Sequence, residues 1–445
     1  MRKLFLIALL ISCFAMVKGE GYQVNLQDVR QVGMGHTGAG QILGASSIHF
    51  NPGALAFMER DFQFSGGISG VISSNDFISE YTGDKYETNN PISTPFSIYA
   101  AARLTDRLVA GIGVNTPYGN SLEWGDEWEG RYHIQDISLH AIYLRPTLSF
   151  QLSDRLSVGG GMTMVFGGVD LNRAISFRDL DPIYQSIQQD PSATVPDGQV
   201  NLEGTTTSYG FTLGALLRVS DNLNIGVGYR SKIRLKLDKG DANFSYDPVT
   251  PELLMQAAAM TGETLPEGYQ FFPENNKFSS ELPMPANLTF GVGWQINDFW
   301  TLAVDLQHVR WDSYEDLDFD FKYNSMAVED AENIRNFQNT MIYRLGLEYN
   351  PLPQWLFRGG IYYDETPIPK NYLTPETPGT DKTGLSLGFS WFPMDNMSID
   401  ASILHIMGDE REDFYNPDEE NIEEPFGGIY NTSAWIPGIG VTYSF

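Results

Sequence analysis

An all-β chain is predicted, folded as a transmembrane antiparallel β-barrel of about 14 strands with its N-terminal segment as a hatch in the lumen. Three observations predict it: runs that alternate apolar with small residues, short turns that alternate with long polar loops, and one nearly uncharged Gly/Ala/Ser-rich stretch near the start.

The alternation is clearest at the C-terminus. From Trp435 to Phe445 one face carries Trp435, Pro437, Ile439, Val441, Tyr443 and Phe445, and the other carries Ile436, Gly438, Gly440, Thr442 and Ser444. Leu385, Leu387, Phe389 and Trp391 alternate in the same way with Gly384, Ser386, Gly388 and Ser390. A soluble sandwich alternates too, but with Lys and Glu facing water. Glycine and serine on one side and aromatics at the strand ends on the other fit a lumen and a lipid belt.

Asp/Asn/Pro-rich turns join pairs of such runs near residues 105–107, 153–155, 220–222, 297–298, 350–354 and 393–396. Longer polar segments separate the pairs. Counting two strands per turn, plus the first and the last, gives about 14, an even number as closure requires. Strands are expected to start near Asp61, Pro95, Arg107, His133, Arg155, Asn201, Leu223, Lys277, Phe299, Asn339, Gln354, Lys382, Met397 and Ala434. No apolar run of about 18 residues follows the leader, so a helical membrane protein is excluded.

The stretch Gly33 to Met58 is broken by Asn51-Pro52-Gly53. Its small residues let backbone lie close to a surrounding wall. Ahead of it, Arg2 and Lys3 precede an apolar run, and Val17-Lys18-Gly19 forms a small-residue site. Residues 1–19 therefore read as a signal peptide, 20–60 as the hatch and 61–445 as the barrel with long extracellular loops. Ile11-Ser12-Cys13 also admits a lipoprotein reading. Cys13 is the single cysteine, so no disulfide framework or cysteine-based site is expected. A net charge of −28, concentrated in loop segments such as 408–424 and 315–320, excludes nucleic acid as a partner.

Gly21-Tyr22-Gln23-Val24-Asn25 followed by Gly33–Met58 resembles the start of the mature FadL-type outer-membrane proteins, which import long-chain fatty acids and other hydrophobic compounds. Gly228-Tyr229-Arg230-Ser231, the segment Tyr363 to Pro369 and Leu385-Ser386-Leu387-Gly388 extend the resemblance along the chain. That family has 14 strands and an Asn-Pro-Ala hatch signature, which here reads Asn51-Pro52-Gly53. The resemblance implies gating at Phe50, Asn51, Pro52 and Gly53, and barrel assembly signalled by the C-terminal Phe445.

Candidate sites follow. Arg230, Lys232, Arg234 and Lys236 fall on alternate residues and are expected to face the lumen. With Arg173, the one basic residue where the family places its own on the corresponding strand, Arg230, Lys232 and Arg234 are candidates to hold a ligand carboxylate. The alternative is that they pair with lumen acids. Leu253, Leu254, Ala257 and Ala258 form an apolar stripe on a loop helix. The family resemblance makes it an initial hydrophobic groove; simple packing on a neighbouring loop is the alternative. Gly111 and Gly113 could kink strand 3, where the family releases ligand sideways, and Pro117 cannot donate to its ladder. Asp316, Asp318 and Asp320 share one face, as a cation site or an exposed strand extension.

No enzyme is expected. Gly384-Leu385-Ser386-Leu387-Gly388 fits G-x-S-x-G but lies within a strand, not on an elbow. The six histidines form no ligand pair, and neither cofactor nor metal is implied. The expected function is monomeric, passive transport of fatty acids or hydrocarbons through the bacterial outer membrane, among its lipid and lipopolysaccharide: capture at the loops, a lumen pocket, a hatch shift and lateral release. A general diffusion porin or a structural surface barrel is the alternative.

Overall fold

The structure is a computed structural model that describes residues 21–417 and 425–445. The leader at 1–19, the cleavage point before Glu20, Cys13 and the end of the acidic run at 408–424 lie outside the described residues.

All strands join one antiparallel sheet. The first stave is β1 (Phe62–Ser69) continued by β2 (Ile72–Ser79), and the second is β3 (Lys85–Glu87) with β4 (Phe96–Thr105). Then come β5 (Leu108–Glu123), β6 (Asp136–Gln151), β7 (Leu156–Ile175) and β8 (Gly198–Ser220). The seventh stave is split into β9 (Leu223–Arg230) and β10 (Ile233–Ser245), the eighth into β11 (Asn276–Met284) and β12 (Ala286–Gln295). β13 (Trp300–Arg310), β15 (Thr340–Leu352), β16 (Trp355–Asp364), β17 (Lys382–Met394), β18 (Met397–Gly408) and β20 (Gly427–Ser444) complete the wall; β14 (Asp320–Phe321) and β19 (Arg411–Phe414) are short pieces in loops. β1 pairs with β20 from Gln63↔Ser444 to Ser69↔Gly438, which closes a barrel of 14 staves.

The period-2 pattern sets which face meets lipid. Leu387 is 65 % exposed and Trp435 50 %, whereas Ser386 and Ser390 on the opposite face are buried. The last strand starts at Gly427, earlier than the expected Ala434, because residues 428–433 continue the ladder against β2.

Residues 21–58 are almost wholly buried and touch the wall on all sides. Asp305 of β13 accepts the N–H groups of Gly38 (2.7 Å) and Ala39 (3.0 Å). Ser386 of β17 accepts Gly35 N–H at 3.0 Å, Ser149 of β6 accepts Ala56 N–H at 3.0 Å, and Gln63 of β1 accepts Ala45 N–H at 2.6 Å. The segment has little regular structure, so wall side chains satisfy backbone donors that no ladder would. Ser386, the serine of the G-x-S-x-G match, is one of these anchors.

Wall glycines permit the approach. A Cβ on Gly226 would lie 1.8 Å from Ala39 O, and one on Gly360 2.0 Å from Gly35 N. Ile48, Leu55 and Met58 pack with Tyr99, Ala101 and Val109 as a lower core that joins segment to wall. Fully burying each large side chain is worth about 1.5–3 kcal/mol.

Above this level a larger apolar cluster fills the barrel mouth. The loop 365–381 folds inward over it, with Ile368 and Leu373 buried. Arg411 holds that loop by donating to Ile368 O (3.1 Å), Pro369 O (3.0 Å) and Gly379 O (3.2 Å) while paired with Asp413.

Candidate functional site

The seventh and eighth staves decide where charge lies. In β9, Ile225 faces out and Gly226, Gly228 and Arg230 face in. Ser231 and Lys232 interrupt the strand, and β10 resumes with the opposite parity: Ile233, Leu235 and Leu237 are buried, Arg234 and Lys236 exposed. The expected basic ladder is thereby broken. Arg234 and Lys236 lie outside, both paired with Glu281. Lys232 lines an outer cleft with Arg310 and Asp312. Arg173 stands apart on upper β7, half-buried. Among the described residues, Arg230 is the one of the four candidates that meets the N-terminal segment.

There it faces His49. Arg230 Nη1 lies 3.1 Å from His49 Nε2, and Arg145 Nη1 lies 2.8 Å from His49 Nδ1. Asn115 Nδ2 approaches the same Nδ1 at 3.0 Å. Burial, with the two guanidinium charges, holds the His49 pKa well below the ordinary imidazole value, so the ring is neutral. A neutral imidazole has one acceptor nitrogen, so one arginine must face an N–H. Neither arginine has a carboxylate within salt-bridge distance among the described residues. Arg145 is 1 % exposed, and its Nε and Nη2 have no hydrogen-bond partner. A buried and a half-buried cation sharing one neutral ring form a ready anion site.

An apolar column stands above them. Arg145 lies over the Tyr143 ring at 4.9 Å, and Tyr143 packs against Tyr118 at 5.8 Å. Beyond is a cavity of about 60 Å³ lined by Leu139, Leu202, Leu235, Leu237, Leu282 and Phe319 among others, roofed by the Arg335–Glu376 pair (3.1 Å). The inverted parity of β10 supplies two of those leucines.

A second cavity, about 540 Å³, adjoins it; Tyr22 and Leu139 line both. Tyr22 stands between, edge-on to Trp311 (5.0 Å) with its hydroxyl on Pro283 O. This larger cavity lies at a break in the wall. β4 and β5 pair only up to Ser97↔Asn115, and the β5–β6 register shifts between Asn115 and Tyr118. The free β5 edge is taken by the N-terminal segment: Val24 N donates to Pro117 O (2.8 Å) and Gly119 N to Tyr22 O (3.1 Å). The break falls at Thr116-Pro117, where the proline lacks the ladder N–H as expected from its position in the sequence, and not at Gly111 and Gly113. Gly111 and Gly113 keep regular register and face Ile48, with added Cβ atoms 2.6 and 3.0 Å from its side chain.

Asn51-Pro52-Gly53 is fully buried. Asn51 Nδ2 donates to Ala39 O (2.8 Å) and Ala215 O (3.0 Å), its Oδ1 accepts Gly53 N–H (3.0 Å), and Ser157 holds Gly53 O at 2.7 Å. Neighbouring Phe50 packs on His36 (4.8 Å) and His49 (4.9 Å). In the loop helix Thr250–Thr261, Leu253 is buried in a cluster with Phe177, Phe271 and Phe272, Leu254 and Ala257 pack against that cluster, and Ala258 is buried. The stripe faces the loops; Met255 and Met260 are the helix's exposed large apolar residues. Among the described residues no group that could hold a metal ion includes Asp316, Asp318 and Asp320.

Comparison with known proteins agrees with this architecture. The long-chain fatty acid transport protein of Escherichia coli O6:H1 is 23 % identical, with 96 % of this chain and 94 % of that protein aligned. The outer membrane protein NMB0088 of Neisseria meningitidis serogroup B is 24 % identical over 88 % of this chain and 87 % of its own length. A Pseudomonas aeruginosa FadL homologue superposes with a TM-score of 0.79 at 20 % identity, covering 96 % of this chain and all (100 %) of its own. The Ralstonia pickettii toluene transporter TbuX gives 0.66 at 19 % identity, covering 96 % and 99 %. The chain is an outer-membrane barrel that belongs to the outer membrane protein transport protein family (OMPP1/FadL/TodX), whose model it matches over residues 9–445.

Proposed function

We propose that this protein carries long-chain carboxylic acids passively across the outer membrane. The observation that supports this best is the pair Arg145 and Arg230, which have no carboxylate partner among the described residues and lie beside the apolar cluster that holds Tyr143, Tyr118 and the cavity leucines. A hydrocarbon tail gains by leaving water for the leucines. A carboxylate gains a charge-assisted hydrogen bond where His49 now stands in. Relatives named for fatty acid transport fit this reading.

The route begins at the exposed loop crest, where Met255 and Met260 offer a first apolar contact. It continues through the leucine cavity and leaves sideways at the break between β4 and β5. The moving part of the hatch is the arm 21–27, which holds the β5 edge by few bonds. Asn51-Pro52-Gly53 anchors the rest. Displacing Tyr22 and Val24 joins the two cavities and frees the wall edge in one motion. Side release has a simple cause: a greasy cargo loses little on sliding from a dry pocket into lipid.

Neutral hydrocarbons are the second reading, since the leucine cavity as it stands is only about 60 Å³ and relatives of the fold carry toluene. Binding of a long-chain acid against the matched alkane decides between them: the acid should bind at least tenfold tighter, and equal affinity favours the hydrocarbon. A diffusion porin would show steady large conductance in planar bilayers; a lumen occupied by residues 21–58 should not.

A further inference from the structure

Four neighbouring staves place a run of hydrogen-bond donors on the lumen face at nearly one level. The pairs Leu144↔Met164 and Thr147↔Gly161 set Arg145 of β6 opposite Thr163 of β7. On the next two ladders Gly161 faces Thr212 of β8, and Thr212 faces Arg230 of β9. Arg145, Thr163 and Thr212 are 1 %, 1 % and 2 % exposed. The order around the wall is therefore arginine, threonine, threonine, arginine.

The donors in the middle of this run are spare. Arg145 spends Nη1 on His49. Its Nε and Nη2, and the hydroxyls Thr163 Oγ1 and Thr212 Oγ1, have no hydrogen-bond partner among the described residues. The register explains the hydroxyls: Thr163↔Gly210 and Gly161↔Thr212 give each threonine a glycine across its rung, with no side chain to reach it from there. Buried polar groups are seldom left unpaired, and a cluster of them marks a water or an ion.

Charge decides between the two. Beside Thr212 and Arg230 lies a cavity of about 20 Å³, lined also by His36, His49, Arg344 and Asp305. Asp305 is the one carboxylate in that lining, and its Oδ2 already accepts the N–H groups of Gly38 and Ala39. With Arg145 on the far side of His49, three guanidiniums stand against one carboxylate, and the two imidazoles can only add to the excess. Buried charge without counter-charge is costly, which favours an anion over a water. A water-sized particle needs about 10–15 Å³, so a monatomic ion fits this place and a phosphate or sulfate does not.

We infer that a halide ion, chloride in a saline medium, resides between Thr163, Thr212 and the two arginines in the unloaded protein, and that an entering carboxylate takes its place. The threonine hydroxyls and the spare guanidinium N–H groups donate to it. The guanidiniums are then compensated in both states, by halide when cargo is absent and by carboxylate when it is bound. Cargo binding becomes a competition that halide concentration sets by mass action. The exchange, though not the halide itself, rests on the reading that the cargo is a carboxylic acid.

Crystals of the full chain grown in sodium bromide without acid test the ion. Anomalous scattering should place a bromide beside Thr212 and Arg230. A water there, or bromide on the outer surface alone, overturns the site. Displacement of a fluorescent long-chain acid in detergent solution tests the exchange. The acid should bind about fivefold more weakly in sodium chloride than in sodium isethionate of equal ionic strength, as mass action gives when chloride stands at about four times its dissociation constant. Isethionate is too large for the cavity, and equal affinity in the two salts overturns the exchange. In Thr212→Val the ratio should fall towards one while the acid still binds; a hydroxyl with a purely structural role would leave the ratio unchanged. Bromide in place with no acid binding in either salt would uphold the ion and overturn the carboxylic-acid reading.

Discussion

Replacing Arg230 with Gln removes one of the two cations that flank His49. Its guanidinium lies 3.1 Å from a ring nitrogen and has no carboxylate partner among the described residues, so the empty protein loses little when it goes. Relief of its repulsion with buried Arg145 should leave stability unchanged or slightly raised. A bound carboxylate, in contrast, loses a charge-assisted hydrogen bond worth about 1.5–3 kcal/mol. At 1.36 kcal/mol per decade this predicts roughly 10- to 150-fold weaker binding of a long-chain acid. The matched primary alcohol and alkane should change by less than about twofold, since neither presents an anion. Displacement of a fluorescent acid in detergent solution measures all three ligands. Equal loss for acid and alkane would refute the reasoning, because the mutation would then act on packing and not on charge.

Other consequences can be checked by similar means. Asn51→Ala deletes hydrogen bonds to Ala39 O, Ala215 O and Gly53 N and should cost about 3 kcal/mol; a thermal midpoint within error of wild type would show that the signature is not an anchor. Gly226→Val puts side-chain atoms where Ala39 O now lies, so the segment should fail to seat and planar bilayers should show frequent openings; a closed barrel would contradict this placement. Tyr22→Ala removes the partition shared by the two cavities and should speed release of a preloaded acid severalfold, whereas an unchanged rate would locate the gate elsewhere. Arg411→Gln frees the carbonyls of Ile368, Pro369 and Gly379 and leaves Asp413 without its partner; the loop 365–381 should become cleavable by protease from outside, and continued protection would oppose its description as a clamped strap.

Much of the wall was legible because a strand repeats every two residues and lipid permits only apolar neighbours. Leu385, Leu387, Phe389 and Trp391 declare their face without reference to anything distant. The turns at 105–107 and 393–396 declare themselves through Asp, Asn and Pro, and the small residues of 33–58 through the room they leave. Local pattern fails where one irregularity shifts parity. Arg230 and Ile233 both face inward, three positions apart, because Ser231-Lys232 inserts an odd step. Neither residue is a Gly or Pro that would mark it. The hint lies on the partner strand, in Pro283 and Pro285. The candidate ladder therefore turns outward beyond Arg230, and Leu235 and Leu237, on the alternate positions, line the pocket. His49 and Arg145 were just as hard to find together, since 96 residues separate them and only the closed barrel brings them into contact.

The most direct measurement is anomalous diffraction from crystals holding a long-chain acid brominated at its tail. The account predicts bromine density among Leu235, Leu237 and Phe319, with the carboxylate in hydrogen-bond reach of Arg145 and Arg230. Bromine beside those arginines, or only on the outer surface of the barrel, would contradict it.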